Sequence, residues 1–222
     1  MARKHAQGTP VGIVARRGTR VVVGCDGVLS DLRGGVVAVV REVTGAAHVA
    51  GDLPLSFELG TSSTSRDLMD LGLSRAEVAA VLGKIAARRG FAVGLAPHQS
   101  AVAGIRALRA AGAEVACWAR TWDPNPWWRD ERLSWLALHF GVDVVHAMTD
   151  SGDVEADVLI DCRPQGVAMW LRDRPDGDAV LWSADGDLRG VPVPAGAHFA
   201  TSWDAVLGVV RDAPRRQLRG DT

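Results

Sequence analysis

Apolar positions along this chain recur at two spacings, every second residue in short bursts and every three to four residues in longer ones. "RVVVG" at 20–24 is a β-branched run that ends in glycine, and it predicts a buried strand. An amphipathic helix follows near 33–44, and from about 45 to 96 the pattern is mostly helical. Within that stretch, "LSRAEVAAVLGKIAARRG" makes Ser74 an N-cap, Glu77 its partner three residues on, and Gly90 the stop. "PHQSAVAGIRALRAAG" is the next helix and "AEVACWA" a short apolar strand. "WWRDERLSWLALHFG" predicts a helix whose apolar faces are Trp128, Leu133, Trp135, Leu136 and Phe140. Strands are expected at 142–146 and "ADVLID"; after them come "DAVLWSA", a turn-rich segment with Pro192 and Pro194, and a last helix near 203–212.

Strands alternating with helices build an α/β fold, a doubly wound parallel sheet with helices on both faces. The helical insertion after the first strand sets this order apart from a plain doubly wound sheet. The expected organisation is a flexible segment at 1–19, a core at 20–44 and 97–212, a small helical cap at 45–96, and a flexible tail at 213–222.

Composition narrows the function classes. The 222 residues are 47% hydrophobic, enough for a substantial core. A formal net charge of -1 argues against non-specific nucleic-acid binding, although both ends are locally basic. No uncharged run approaches the roughly 20 residues of a membrane span, and the start lacks the apolar centre of a signal peptide, so the expected compartment is the cytoplasm. Three cysteines without an export signal read as free thiols.

Such a sheet places ligands at the carboxyl ends of its strands, here "GCDGVLSD", "WARTWDPNPWW" and "DCRP". Together with "CDGVLSD", the segments "WDPNPWWRDERLSWLALHFG", "ADVLIDCRP" and "TSWDAVL" resemble the haloacid dehalogenase superfamily, and within it the 5'(3')-deoxyribonucleotidase family. The similarity covers roughly residues 20 to 210 and implies a HAD-like Rossmannoid fold with a cap. Members of the superfamily attack a phosphate ester with a first aspartate and protonate the leaving group with a second. A Ser/Thr and a Lys steady the phosphate, and acids from the first and last motifs hold magnesium.

Carried onto this chain, the resemblance puts the nucleophile position on Gly24, which has no side chain, and the acid/base position on Asp26. The hydroxyl position falls on Ala119, followed by Arg120 and Thr121, and the lysine position on Ser151. Lys4 and Lys84 are the only lysines. In the last motif Asp161 is kept, but the neighbouring magnesium ligand is Cys162, and a thiol suits magnesium poorly. The magnesium site is therefore expected to be lost, and no other cofactor is expected.

Asp26 and Cys162 are the candidate catalytic residues. Gly24, Asp26, Gly27, Ala119, Arg120, Thr121, Trp122, Ser151, Asp161 and Arg163 are the candidate ligand-binding residues, and no metal ligand is assigned. Trp122, in "RTWDPNP", is expected to overlook the pocket; strand alternation turns Cys25 away and leaves Cys162 as the thiol lining it. Three functions stay open. The first is a catalytically silent protein that binds a small phosphate-containing or nucleotide-like ligand or serves in regulation or assembly. The second is an enzyme with repurposed, metal-independent chemistry on Asp26 and Cys162, and the third an ordinary nucleotidase. Neither specific nucleic-acid binding nor a membrane is expected, and the resemblance extends homodimer formation to this chain.

Overall fold

The computed structural model describes residues 18–141, 145–147, 155–183 and 192–213. β1 (Arg20–Gly24) lies inside a six-stranded sheet of order β3-β2-β1-β4-β5-β6, in which β2 is Glu114–Ala119, β3 Val145–Ala147, β4 Val158–Asp161, β5 Asp178–Trp182 and β6 His198–Ala200. Every pairing is parallel. Such strands need helical crossovers. α1 (Leu32–Thr44), α2 (Thr64–Asp70), α3 (Arg75–Ala87) and α4 (Gln99–Ala110) lie between β1 and β2, α5 (Trp128–Phe140) between β2 and β3, and α6 (Pro164–Asp173) between β4 and β5, while α7 (Trp203–Asp212) follows β6.

Local chemistry explains the helix ends. Asp31 caps α1 by accepting the Gly34 N–H at 2.8 Å, and Gly45 ends it in the left-handed region at φ 72°. Ser74 and Glu77 form the expected capping box of α3. That helix stops at Arg88, two residues before the expected Gly90, which takes φ +87° in the following turn.

The segment after β1 carries α2, α3 and a 3-10 turn at Ala50–Asp52, and it buries its apolar side against α1. Val36, Val40, Leu68, Val81 and Ile85 join Phe57 and Phe91 in that cluster, so the aromatics of this segment serve its core. The sheet separates two further clusters. Val21, Val23, Val158 and Ile160 pack on one face with residues of α4, α5 and α7, whereas Val22, Leu159 and Leu181 pack on the other with Val167 and Trp170 of α6.

Two elements, α6 and β6, have no counterpart among the sequence expectations. Residues 142–144 of the strand expected at 142–146 lie outside the described residues. Among those described, no helix is long and apolar enough to cross a membrane.

Candidate functional site

Parallel register brings three strand ends together: Gly24 stands opposite Trp118, and Val23 opposite Ile160. The chain leaves β1 toward β2 on one side and β4 on the other, so this is the switch point of the sheet. Alternation then divides the residues. Val22, Trp118 and Leu159 share the α6 face, and Gly24 and Asp161 continue it one step of two further along. Cys25, Cys117 and Cys162 belong to the opposite face.

Six candidates from the sequence converge on a recess there: Gly24, Asp26, Ala119, Arg120, Asp161 and Arg163, joined by Cys25, Trp118 and Glu58. The recess holds about 10 Å³, close to the lower limit for one water molecule. Arg163 is tied down on its wall. Its Nε donates to Asp161 Oδ1 at 3.0 Å and its Nη2 to Oδ2 at 2.6 Å, while its backbone N–H reaches Oδ1 at 3.0 Å. The remaining Nη1 pairs with Glu58 Oε1, and the guanidinium carbon lies 3.9 Å from the Trp118 ring centre. Arg120 Nη1 stands 3.7 Å from Glu58 Oε2.

Asp26 is held separately. Its Oδ1 accepts from Ser30 Oγ at 3.0 Å and pairs with Nη2 of Arg132, which is 2% exposed. Arg132 comes from α5, where it lies over the rings of Trp128 and Trp135 at 5.0 and 5.7 Å. Burial lifts the Glu58 carboxyl above the ordinary carboxylate range even though Arg163 and Arg120 oppose the shift. Burial also works against charge on Arg163, but Asp161 and Glu58 outweigh it and hold the guanidinium protonated.

Four candidates fall elsewhere. Cys162, expected to line the cavity, is 2% exposed and donates its S–H to the Asp26 carbonyl oxygen at 3.3 Å. The reason is the alternation that turns Cys25: if Asp161 faces α6, its neighbour faces the other core. Burial pushes the Cys25 thiol up to about 12, and Cys117 and Cys162 also shift upward for that reason. Trp122 does not overlook the recess; it is 6% exposed and meets Trp128 edge-on at 5.7 Å within the α1–α3 cluster. Gly27 takes the turn after β1 at φ +79°, and a Cβ there would come within 2.5 Å of Cys162 Sγ. Thr121 is half-buried outside the recess, and Ser151 lies outside the described residues.

Glu58 and Arg132 are the residues that sequence reasoning missed. For Arg132 a signal existed: positions 128, 132, 135 and 136 make one helical stripe, and all four are buried. Leu133, expected on that face, is 38% exposed. Glu58 lies between buried Phe57 and Leu59 in a loop without periodicity, which gives no comparable signal.

No protein-family model matches the chain, and no curated protein matches it. Solved structures do. A HAD family hydrolase from Deinococcus radiodurans R1, with bound phosphate and sodium, is 16% identical at TM-score 0.61, over 90% of this chain and 100% of that one. L-2-haloacid dehalogenase from Xanthobacter autotrophicus is 12% identical at TM-score 0.55, over 89% of this chain and 100% of its own. Identities this low speak to architecture alone, and the architecture agrees with the sheet order and the helices flanking it: this chain has the α/β Rossmannoid fold of haloacid-dehalogenase-like proteins.

Proposed function

We propose that this chain is a catalytically silent relative of the 5'(3')-deoxyribonucleotidases, one that binds a small phosphate-containing or nucleotide-like ligand, or acts in regulation or assembly, without phosphoryl transfer. The observation that carries this reading is Arg163 docked on both oxygens of Asp161 beside a strand end, Gly24, that has no side chain. Covalent phosphoryl transfer needs an attacking carboxylate there and a hydroxyl near Ala119, and neither residue supplies one. The donor set also fits magnesium poorly. Asp161 spends its lone pairs on Arg163, and the adjacent Cys162 is turned into the core. The guanidinium gives Asp161 the positive charge that a metal would otherwise bring. Thiol chemistry at Cys162 has no comparable support, since its sulfur is buried away from the recess.

The test pairs a thermal-shift screen against nucleoside monophosphates, inorganic phosphate and magnesium with a phosphate-release assay run with and without chelator. Stabilisation by a nucleotide with no phosphate released is the expected result. Release that the chelator stops would overturn the reading.

A further inference from the structure

The outer side of α5 leaves a patch of apolar surface open to solvent. Leu138 is 74% exposed, the highest value among the large apolar side chains of the described residues, and Leu133 and Trp127 stand open at 38% and 36%. At helical spacing Leu133 and Leu138 flank a lower strip made of Asp130, Ser134 and Ala137, all exposed. Ser134 returns its hydroxyl to the Asp130 carbonyl oxygen at 2.9 Å, so covering the strip leaves that hydroxyl satisfied. Beside the first half of the helix runs an open groove of about 330 Å³, walled by Trp127, Asp130 and Ser134 on one side and by Arg89 and Val93 on the other. Glu131 holds the two walls together by accepting the N–H groups of Gly90 and Ala92 at 2.5 and 2.9 Å.

The two ends of this face carry opposite charge. Asp130 lies in the first turn. At the other end Arg109, exposed on α4, donates to the carbonyl oxygens of Phe140 and Gly141 at 2.6 and 3.2 Å. Those acceptors are uncharged, so the guanidinium keeps its full positive charge there. A surface with apolar ridges, a low centre and opposite charges at its ends fits a copy of itself turned end for end. With α5 antiparallel on α5, Leu133 meets Leu138 of the partner subunit, Ser134 lies on the partner's Ala137, and Asp130 faces the partner's Arg109. The small pair at the centre lets the helix axes come close, the two helix dipoles oppose each other, and the groove receives the partner's last turn.

We propose that the outer face of α5 is the interface of a homodimer, an isologous helix pair in which Leu133 packs on Leu138 and Asp130 pairs with Arg109 across the two-fold axis. Self-complementarity selects a second copy over a different protein, because each feature finds its match on the same helix or on Arg109 beside it. The inference goes beyond the silent-protein reading and does not depend on it. The inner face of α5 holds Asp26 through Arg132, and the interface uses the opposite one.

Sedimentation equilibrium of the full chain over a concentration series tests this. The expected result is a reversible equilibrium between monomer and dimer. Leu138→Glu changes a side chain too exposed to matter to the fold, and it should weaken the dimer by about 100-fold, because the two-fold axis brings in the change twice. Asp130→Arg and Arg109→Glu should each weaken it by about 10-fold. Mixed in equal amounts, these two variants should recover the dimer, since every charge in both contacts then faces its opposite. Recovery on mixing is a gain that a misfolded variant cannot mimic. A parent chain that stays monomeric throughout, a dimer indifferent to Leu138→Glu, or charge variants with the parent's melting temperature that stay apart when mixed would overturn the assignment.

Discussion

Arg163 grips Asp161, two residues before it, through a forked pair of hydrogen bonds at 3.0 and 2.6 Å. A strand residue and the N-cap of the next helix thus close on each other across the end of the sheet. Planar guanidinium matches planar carboxylate, and Trp118 stacks on the open face at 3.9 Å. The third nitrogen extends the pair to Glu58, tying the strand end to the loop of the inserted segment.

Breaking this arrangement from one side leaves buried acids without a counter-charge. Arg163→Met is expected to lower unfolding free energy by about 3 to 5 kcal/mol, because Asp161 is fully buried and Glu58 largely so. Asp161→Asn combined with Arg163→Met should recover part of that loss, since the double change removes one orphaned charge along with its partner. Urea unfolding of the two variants measures both. Equal losses in the single and double variants would mean that the fork contributes packing rather than charge balance.

Gly24→Asp should fold and remain inactive. A Cβ at position 24 meets Asp161 Cγ and Oδ1 at 3.5 Å, an ordinary contact, so the backbone accepts a side chain. The new carboxylate would meet an Asp161 already claimed by Arg163, and Ala119 on the wall of the same recess has no hydroxyl. Members of a catalytic set do not act independently, so one added group is expected to give phosphate release no faster than the parent chain. Release well above that background from the single variant would sink the account of the other positions.

The thiols offer a check that needs no ligand. All three cysteines are buried, and burial holds each in its neutral, unreactive form. Alkylation of the native chain should leave all three unmodified on the time scale in which denaturant exposes them. Rapid native labelling confined to Cys162 would reopen thiol chemistry at this site. Gly27→Ala, which drives a Cβ against that sulfur at positive φ, should cost about 1 to 3 kcal/mol by the same unfolding measurement.

Much of this architecture is written in local periodicity, and what is missing follows from where periodicity ends. β1, β2 and β4 are runs of apolar residues, and α1 and α3 carry their own caps, so a short window suffices for each. β6 spans three residues and takes its identity from pairing with β5, which no short window contains. The site divides the same way. Gly24, Asp26 and Asp161 follow from strand ends, and their convergence from the sheet order. Arg163 is visible in the sequence as a charge but not as the partner of both Asp161 and Glu58. Its partner Glu58 is 105 residues away in a loop, and only the fold brings the two together.

Two glutamates give opposite pH signatures. Glu42 on α1 accepts hydrogen bonds from Arg88 and then Lys84, at the end of α3, and these hold its carboxyl at about 2 against an ordinary 4.5. The unfolded chain binds the proton first as pH falls, so stability from this pair is present above pH 4.5 and is lost between there and about 2. The side chains are exposed, so salt should shrink the effect. For Glu58 burial raises the carboxyl, and the folded chain holds the proton longer than the unfolded one. Its ionisation therefore costs stability as pH rises from the ordinary carboxylate value through the raised one. Unfolding free energies of the parent, Glu42→Gln and Glu58→Gln measured against pH separate the two. The parent's advantage over Glu42→Gln should vanish on the acid side, and its standing against Glu58→Gln should worsen as pH climbs. A parent that instead gains on Glu58→Gln as pH climbs would show that its pairing with Arg163 outweighs burial, reversing the order of causes given for that carboxyl.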